Sequence, residues 1–120
     1  TAFQANDIFK AMESDSNIRM TTLKVDGGLT NSTPLMEFQA DLLGIPVIRP
    51  LVVETTALGA AYAAGLSVGV WKSVDDLSSY WQEETRWSPT MDKAVRDEKQ
   101  RLWKKAVSRT LDWVSSDKEE

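Results

Sequence analysis

The chain has 120 residues, a formal net charge of -4, 42% hydrophobic and 27% charged residues, and neither Cys nor His. That length suits one domain, or part of one, with a modest core, and the composition is that of a soluble globular chain. Disulfide scaffolds, Cys/His zinc sites, thiol nucleophiles and imidazole-based triads are excluded.

No apolar run approaches the roughly 20 residues needed to cross a bilayer. The start lacks a basic, apolar secretory signal and an initiator Met. These features predict a cytoplasmic chain that begins partway through a longer protein.

Residues 1–15 predict an amphipathic helix with Ala5, Ile8, Phe9 and Met12 on its apolar face. Met20 to Val25 reads as a strand, favoured by the β-branched Thr21 and Thr22. Asp26-Gly27-Gly28 breaks it. Thr33 and Pro34 are helix-start residues: a hydroxyl caps free N–H groups, and proline lacks an N–H that would be unpaired there anyway. The helix should carry Leu35, Met36, Phe38, Leu42 and Leu43 and stop at Gly44. Ile45 to Arg49 predicts a second strand, with Pro46 at its start or on a sheet edge.

Glu54-Thr55-Thr56 opens a third helix, an acid and a hydroxyl at its positive end. Its body is small: Ala57, Gly59, Ala60, Ala61, Ala64 and Gly65. Because glycine costs about 1 kcal/mol in a helix, Gly59 and Gly65 should answer a steric demand or mark an end. Ser73 to Leu77 starts a short helix, and Tyr80 to Pro89 reads as an irregular linker. From about Thr90 to 114 the chain predicts a long helix. Its stripe is Val95, Leu102, Trp103, Val107, Leu111 and Val114, with Asp92–Arg96 and Asp97–Arg101 as i, i+4 pairs. The last six residues read as a frayed tail.

Strands separated by helices imply a parallel α/β sheet, and two strands do not complete one. The one candidate ligand site is the strand-to-helix turn that runs from Val25 to Pro34. Ligands of open α/β folds lie beyond the carboxyl ends of strands, where bare glycine backbone lets a flat or anionic group approach. A plain turn is the competing reading, since Asp-Gly-Gly is common in turns. The segment is neither a P-loop nor the GxGxxG of a dinucleotide fold. Asp26 reads better as a turn acid than as a metal ligand or base, and Glu54, Asp75 and Asp76 as helix-start residues. From Thr90 onward eight basic and seven acidic residues are mixed, which is a solvated face and no phosphate track. The five Trp should therefore pin the long helix to the body rather than stack bases.

Leu23 to Gly28, Leu35 to Gly44, Arg49-Pro50 and Glu54 to Ala61 resemble the carboxyl-terminal segment of glycerol kinases, within the FGGY carbohydrate kinases. The similarity continues through Gly69-Val70-Trp71 and Trp103 to Val107. The resemblance implies part of an actin-like ATPase (ribonuclease H-like) domain: an incomplete parallel sheet with flanking helices over 1–89, a packed helix over 90–114 and a tail over 115–120. It implies an ATP-dependent kinase that, at full length, phosphorylates glycerol to glycerol 3-phosphate with Mg²⁺. Another FGGY sugar kinase (pentulose or gluconate) and a non-catalytic truncated module are the alternatives.

In such enzymes the paired glycines lie against the nucleotide, which makes Gly27, Gly28, Asn31 and Ser32 the implied cofactor-binding residues. A polar residue four after the second glycine would reach the adenine. Here that is Ser32, where relatives commonly have Asn, and Asn31 stands one place earlier. The catalytic aspartate, phosphate loops, glycerol contacts and metal ligands are implied to lie upstream, leaving the segment alone inactive. No nucleic-acid or membrane partner is implied, and the full-length enzyme is expected to be a homo-oligomer.

Overall fold

The structure is a computed structural model and describes residues 1–111. In chain order it has α1 (Ala2–Ser16), β1 (Leu23–Lys24), a 3-10 segment (Gly28–Asn31), α2 (Thr33–Leu43), β2 (Val47–Pro50), α3 (Thr55–Ser67), α4 (Val74–Ser78), β3 (Glu83–Trp87) and α5 (Lys93–Ser108). The strands form one sheet in the order β1-β2-β3. β1 and β2 run parallel, with Leu23 opposite Val47, and β3 returns antiparallel with Trp87 opposite Val47.

The expected sheet is therefore correct in its parallel part and lacked a strand. β3 occupies the segment read as an irregular linker. Its residues, Glu83-Glu84-Thr85-Arg86-Trp87, carry no apolar alternation, so periodicity gives no signal. Its polar side chains pair instead, Glu84 and Thr85 with Arg49 of β2 and Arg86 within the strand. Arg86 hydrogen-bonds Glu83 and holds that carboxyl below its usual range, while Trp87 alone enters the core.

The core lies between α2 and the sheet: Met36, Ala40, Val47 and Trp87, with Leu23, Val25, Leu35 and Leu43 packed around them. Pro46 sits just before β2, where its carbonyl accepts from Leu23 N at 2.9 Å and no donor is needed from it. At the end of α2, Gly44 has φ 72°, and its N–H donates to Ala40 O at 2.8 Å. This is the left-handed stop expected of glycine. At the other end of α2, Thr33 is the first helical residue and not the cap. Ser32 holds the cap position without a side-chain hydrogen bond.

α1 forms as expected but is rotated about its axis. Ala2, Asn6 and Phe9 are buried, whereas Ile8 and Met12 are 62% and 54% exposed. The two displaced residues line an open cleft beside β1, together with Leu23 and Val25. Phe9 is the one residue common to the expected and observed faces.

α5 is rotated too. Val95, Leu102 and Val107 are exposed, and the side chains that dock the helix are Gln100 and Trp103. Trp103 stacks on Phe3 at 5.1 Å and donates through Nε1 to Asp7 at 2.6 Å. The expected i, i+4 pairs are replaced. Asp92 caps the helix by accepting from Ala94 N, Lys93 pairs with Asp97, and Arg101 pairs with Glu98. The i+3 partner offers Arg101 a bidentate fork, which outweighs the spacing rule. Trp113, Val114 and the expected tail lie outside the described residues.

Of the other Trp, only Trp103 serves the long helix. Trp87 is core, Trp81 lies under Lys24 Nζ at 3.8 Å, and Trp71 packs edge-on to Tyr62 at 5.2 Å. The Trp71 ring accounts for Gly65: a Cβ there would stand 2.1 Å from it. Gly59 answers no steric demand, since a Cβ there meets nothing within 4 Å among the described residues. α4 starts with a full capping box between Ser73 and Asp76.

Candidate functional site

β1 ends at Lys24, and the parallel ladder continues one residue further, with Val25 N donating to Ile48 O at 2.9 Å. The chain then turns. Gly27 has φ 80° and ψ 175°, a conformation closed to residues with a Cβ, and its N–H donates to Val53 O at 3.1 Å. Gly28 opens the 3-10 segment on the surface, and a Cβ there would touch nothing within 4 Å. The result is a stretch of uncovered main chain at the carboxyl end of a parallel strand, followed directly by the amino end of α2.

Three tethers hold this turn. Inside it, Thr30 is only 2% exposed and bonds Gly27 O twice, through Oγ1 at 2.6 Å and N at 3.1 Å. On one side, the Thr55 hydroxyl donates to the Asp26 carboxylate, joining the start of α3 to the turn. Asp26 is thus a turn acid, as its sequence context suggests, but it is bonded to a distant hydroxyl instead of local N–H groups. Thr55 is the first residue of α3, and the cap position before it is held by Glu54 without a side-chain bond.

On the other side stands Arg49 of β2. Its Nη1 donates to Thr30 O at 3.1 Å and to Asn31 Oδ1 at 3.2 Å. Its Nε donates to Glu84 at 2.7 Å, and Nη2 reaches Glu84 at 2.7 Å and Thr85 Oγ1 at 3.4 Å.

Gly27, Gly28, Asn31 and Ser32 therefore share one short turn, with Gly28, Asn31 and Ser32 exposed. Asn31 and Ser32 differ in their state. The Asn31 amide oxygen is engaged by Arg49, while the Ser32 side chain makes no capping bond. Sequence reasoning missed Arg49, Thr30 and Thr55. A visible signal existed for the first: an arginine between Ile48 and Pro50, both buried, in a four-residue strand. Such a charge must be paired or reach water.

The family model for the FGGY family of carbohydrate kinases, C-terminal domain, matches residues 1–68. The chain belongs to the FGGY carbohydrate kinases. It is 59% identical over 117 residues to a glycerol kinase of Clavibacter michiganensis subsp. michiganensis, covering 98% of this chain and 23% of that protein. A glycerol kinase of Roseiflexus sp. is 58% identical over 114 residues, again covering 23% of its own length. This FGGY chain thus spans about a quarter of the curated relatives it matches.

Among solved structures, the Plasmodium falciparum glycerol kinase with ADP superposes with a TM-score of 0.80 at 37% identity, over 94% of this chain and 23% of that one. The xylulose kinase of Lactobacillus acidophilus gives 0.76 at 15% identity, over 91% of this chain and 22% of that one, a likeness of fold alone. The fold is accordingly that of part of an actin-like FGGY kinase domain, with a small open mixed sheet in place of the expected parallel one.

Proposed function

We propose that this chain is the carboxyl-terminal portion of an ATP-dependent glycerol kinase, and that its glycine turn forms the adenosine-binding wall of the ATP site. The observation that carries the substrate reading is 54–59% identity to glycerol kinases from several bacteria. The pentulose and gluconate alternatives have likeness of fold behind them, at 15% and 14% identity. The enzyme would transfer the γ-phosphoryl group of ATP to a glycerol hydroxyl, a reaction governed by positioning and charge stabilisation.

The part of this chain would be to position the nucleotide. Uncovered main chain at Gly28 offers a flat surface for a purine ring. Ser32, whose hydroxyl is uncommitted, is the better candidate to reach the base. Asn31 would serve the turn by accepting from Arg49. Mg²⁺ would accompany the nucleotide, but among the described residues no three His, Cys, Asp or Glu converge on a point where a metal could sit.

Gly28→Val in the longer protein tests the site. A Cβ there meets nothing within 4 Å among the described residues, so the expected result is little change in stability with ATP binding weakened about tenfold or more. Unchanged ATP affinity by titration calorimetry would remove the assignment. Turnover of xylulose or gluconate in preference to glycerol by the purified enzyme would overturn the substrate reading.

A further inference from the structure

We infer that Arg49 is a positioning residue for nucleotide binding: it fixes the 3-10 segment against β2 and β3 and so sets where Gly28 and Ser32 lie. The inference rests on the reading of this turn as the adenosine site. Its basis is the arrangement of five bonds around one guanidinium. Nη1 holds the turn through Thr30 O and Asn31 Oδ1, while Nε and Nη2 hold Glu84 and Thr85 on β3. The side chain is 16% exposed, and the guanidinium carbon lies 5.6 Å from the centre of the Trp87 ring, whose indole belongs to the core.

The turn needs such a tether. A four-residue 3-10 segment has poor internal hydrogen-bond geometry, and three of its four residues (Gly28, Leu29 and Asn31) are exposed. Thr30 is the exception, and it transmits the hold. Its carbonyl accepts from Arg49 while its hydroxyl and N–H bond Gly27 O. The chain of contact runs from β3 through Arg49 and Thr30 to the first glycine. A lysine could reach the turn or Glu84, but it has no planar fork to hold both.

The test uses the full-length protein with Arg49→Lys, and Glu84→Gln as a second variant that loosens the guanidinium from its other end. The expected result for Arg49→Lys is an ATP KM raised about tenfold, with glycerol KM and melting temperature close to wild type. Discrimination between ATP and GTP should fall, and Glu84→Gln should show a smaller rise in ATP KM. Asn31→Ala should raise ATP KM less, and combining it with Arg49→Lys should give less than the product of the two effects.

An Arg49→Lys enzyme with unchanged ATP KM, or with kcat lowered in step with the folded fraction, would overturn the inference as a merely structural role. If Arg49→Lys does not fold, an unchanged ATP KM in Glu84→Gln does the same. Gly28→Val separates the two readings. Weakened ATP binding there with Arg49→Lys unaffected rejects only the positioning role, whereas unaffected binding in Gly28→Val rejects the site and with it the tether.

Discussion

Gln100 donates through Nε2 to the main-chain oxygen of Leu42 at 2.6 Å. That carbonyl belongs to the last turn of α2, beyond which Gly44 bends the chain away, so it has no partner within its helix. Leu42 is fully buried. The Gln100 amide oxygen accepts from Lys10 Nζ, and Nε2 also lies 3.3 Å from Asn6 Oδ1. One side chain thereby closes α1, α2 and α5. Gln100→Leu should lower stability by about 1–3 kcal/mol, the cost of a buried unpaired carbonyl. Urea unfolding reads this directly, and an unchanged midpoint would show that water replaces the amide.

Two glycines of the same helix should respond with opposite sign to the same methyl group. At Gly65 a Cβ would fall 2.1 Å from the Trp71 ring, which must then move. Gly65→Ala should destabilise by about 1–3 kcal/mol. At Gly59 the methyl enters open space, and the gain in helix propensity should stabilise by about 0.5–1 kcal/mol. A destabilised Gly59→Ala would show that α3 packs at this point against something beyond the described residues.

Gly44 is required for its backbone. Its φ of 72° is left-handed, and Arg96 Nη1 lies 1.6 Å from where a Cβ would stand. The guanidinium is the free end of a flexible side chain and can swing aside, but the backbone strain remains. Gly44→Ala should cost about 1–2 kcal/mol, and Gly44→Asn less, because asparagine tolerates this region. Equal loss in both variants would point to the collision with Arg96 as the main effect.

Ser32 offers a direct check on how the proposed site reads the base. Ser32→Ala should raise ATP KM about threefold to tenfold without changing the melting temperature, since the hydroxyl caps nothing in the fold. Ser32→Asn, which supplies an amide donor and acceptor, should preserve or tighten ATP binding. An indifferent Ser32→Ala would transfer the contact to another group.

Much of the local structure was legible in the sequence because it depends on short-range chemistry. Gly44 as a left-handed stop, Pro34 near the start of α2, the helix start at Ser73 and the break at Gly27-Gly28 each follow from the local chemistry those residues allow. The candidate turn could be located for the same reason. The ordered blocks from Leu23 to Ala61 carried the family.

Tertiary structure decided which face of a helix is buried and which polar groups meet. Periodicity puts Ile8 and Met12 on the face of α1 with Phe9, but α1 turns Asn6 toward Gln100, which is 94 residues away in sequence, and leaves those two apolar chains beside β1. The strand Glu83–Trp87 is held by partners on β2, and its own pattern is silent. Arg49, Thr30 and Glu84 form a chain of bonds spanning residues 30 to 84, and no local rule pairs groups so far apart. The sequence alone determined the turns, stops and family, because those reside in single residues and contiguous blocks. Only the folded chain decided the tethers of the site, because a hydrogen bond between distant residues exists once packing has brought them together.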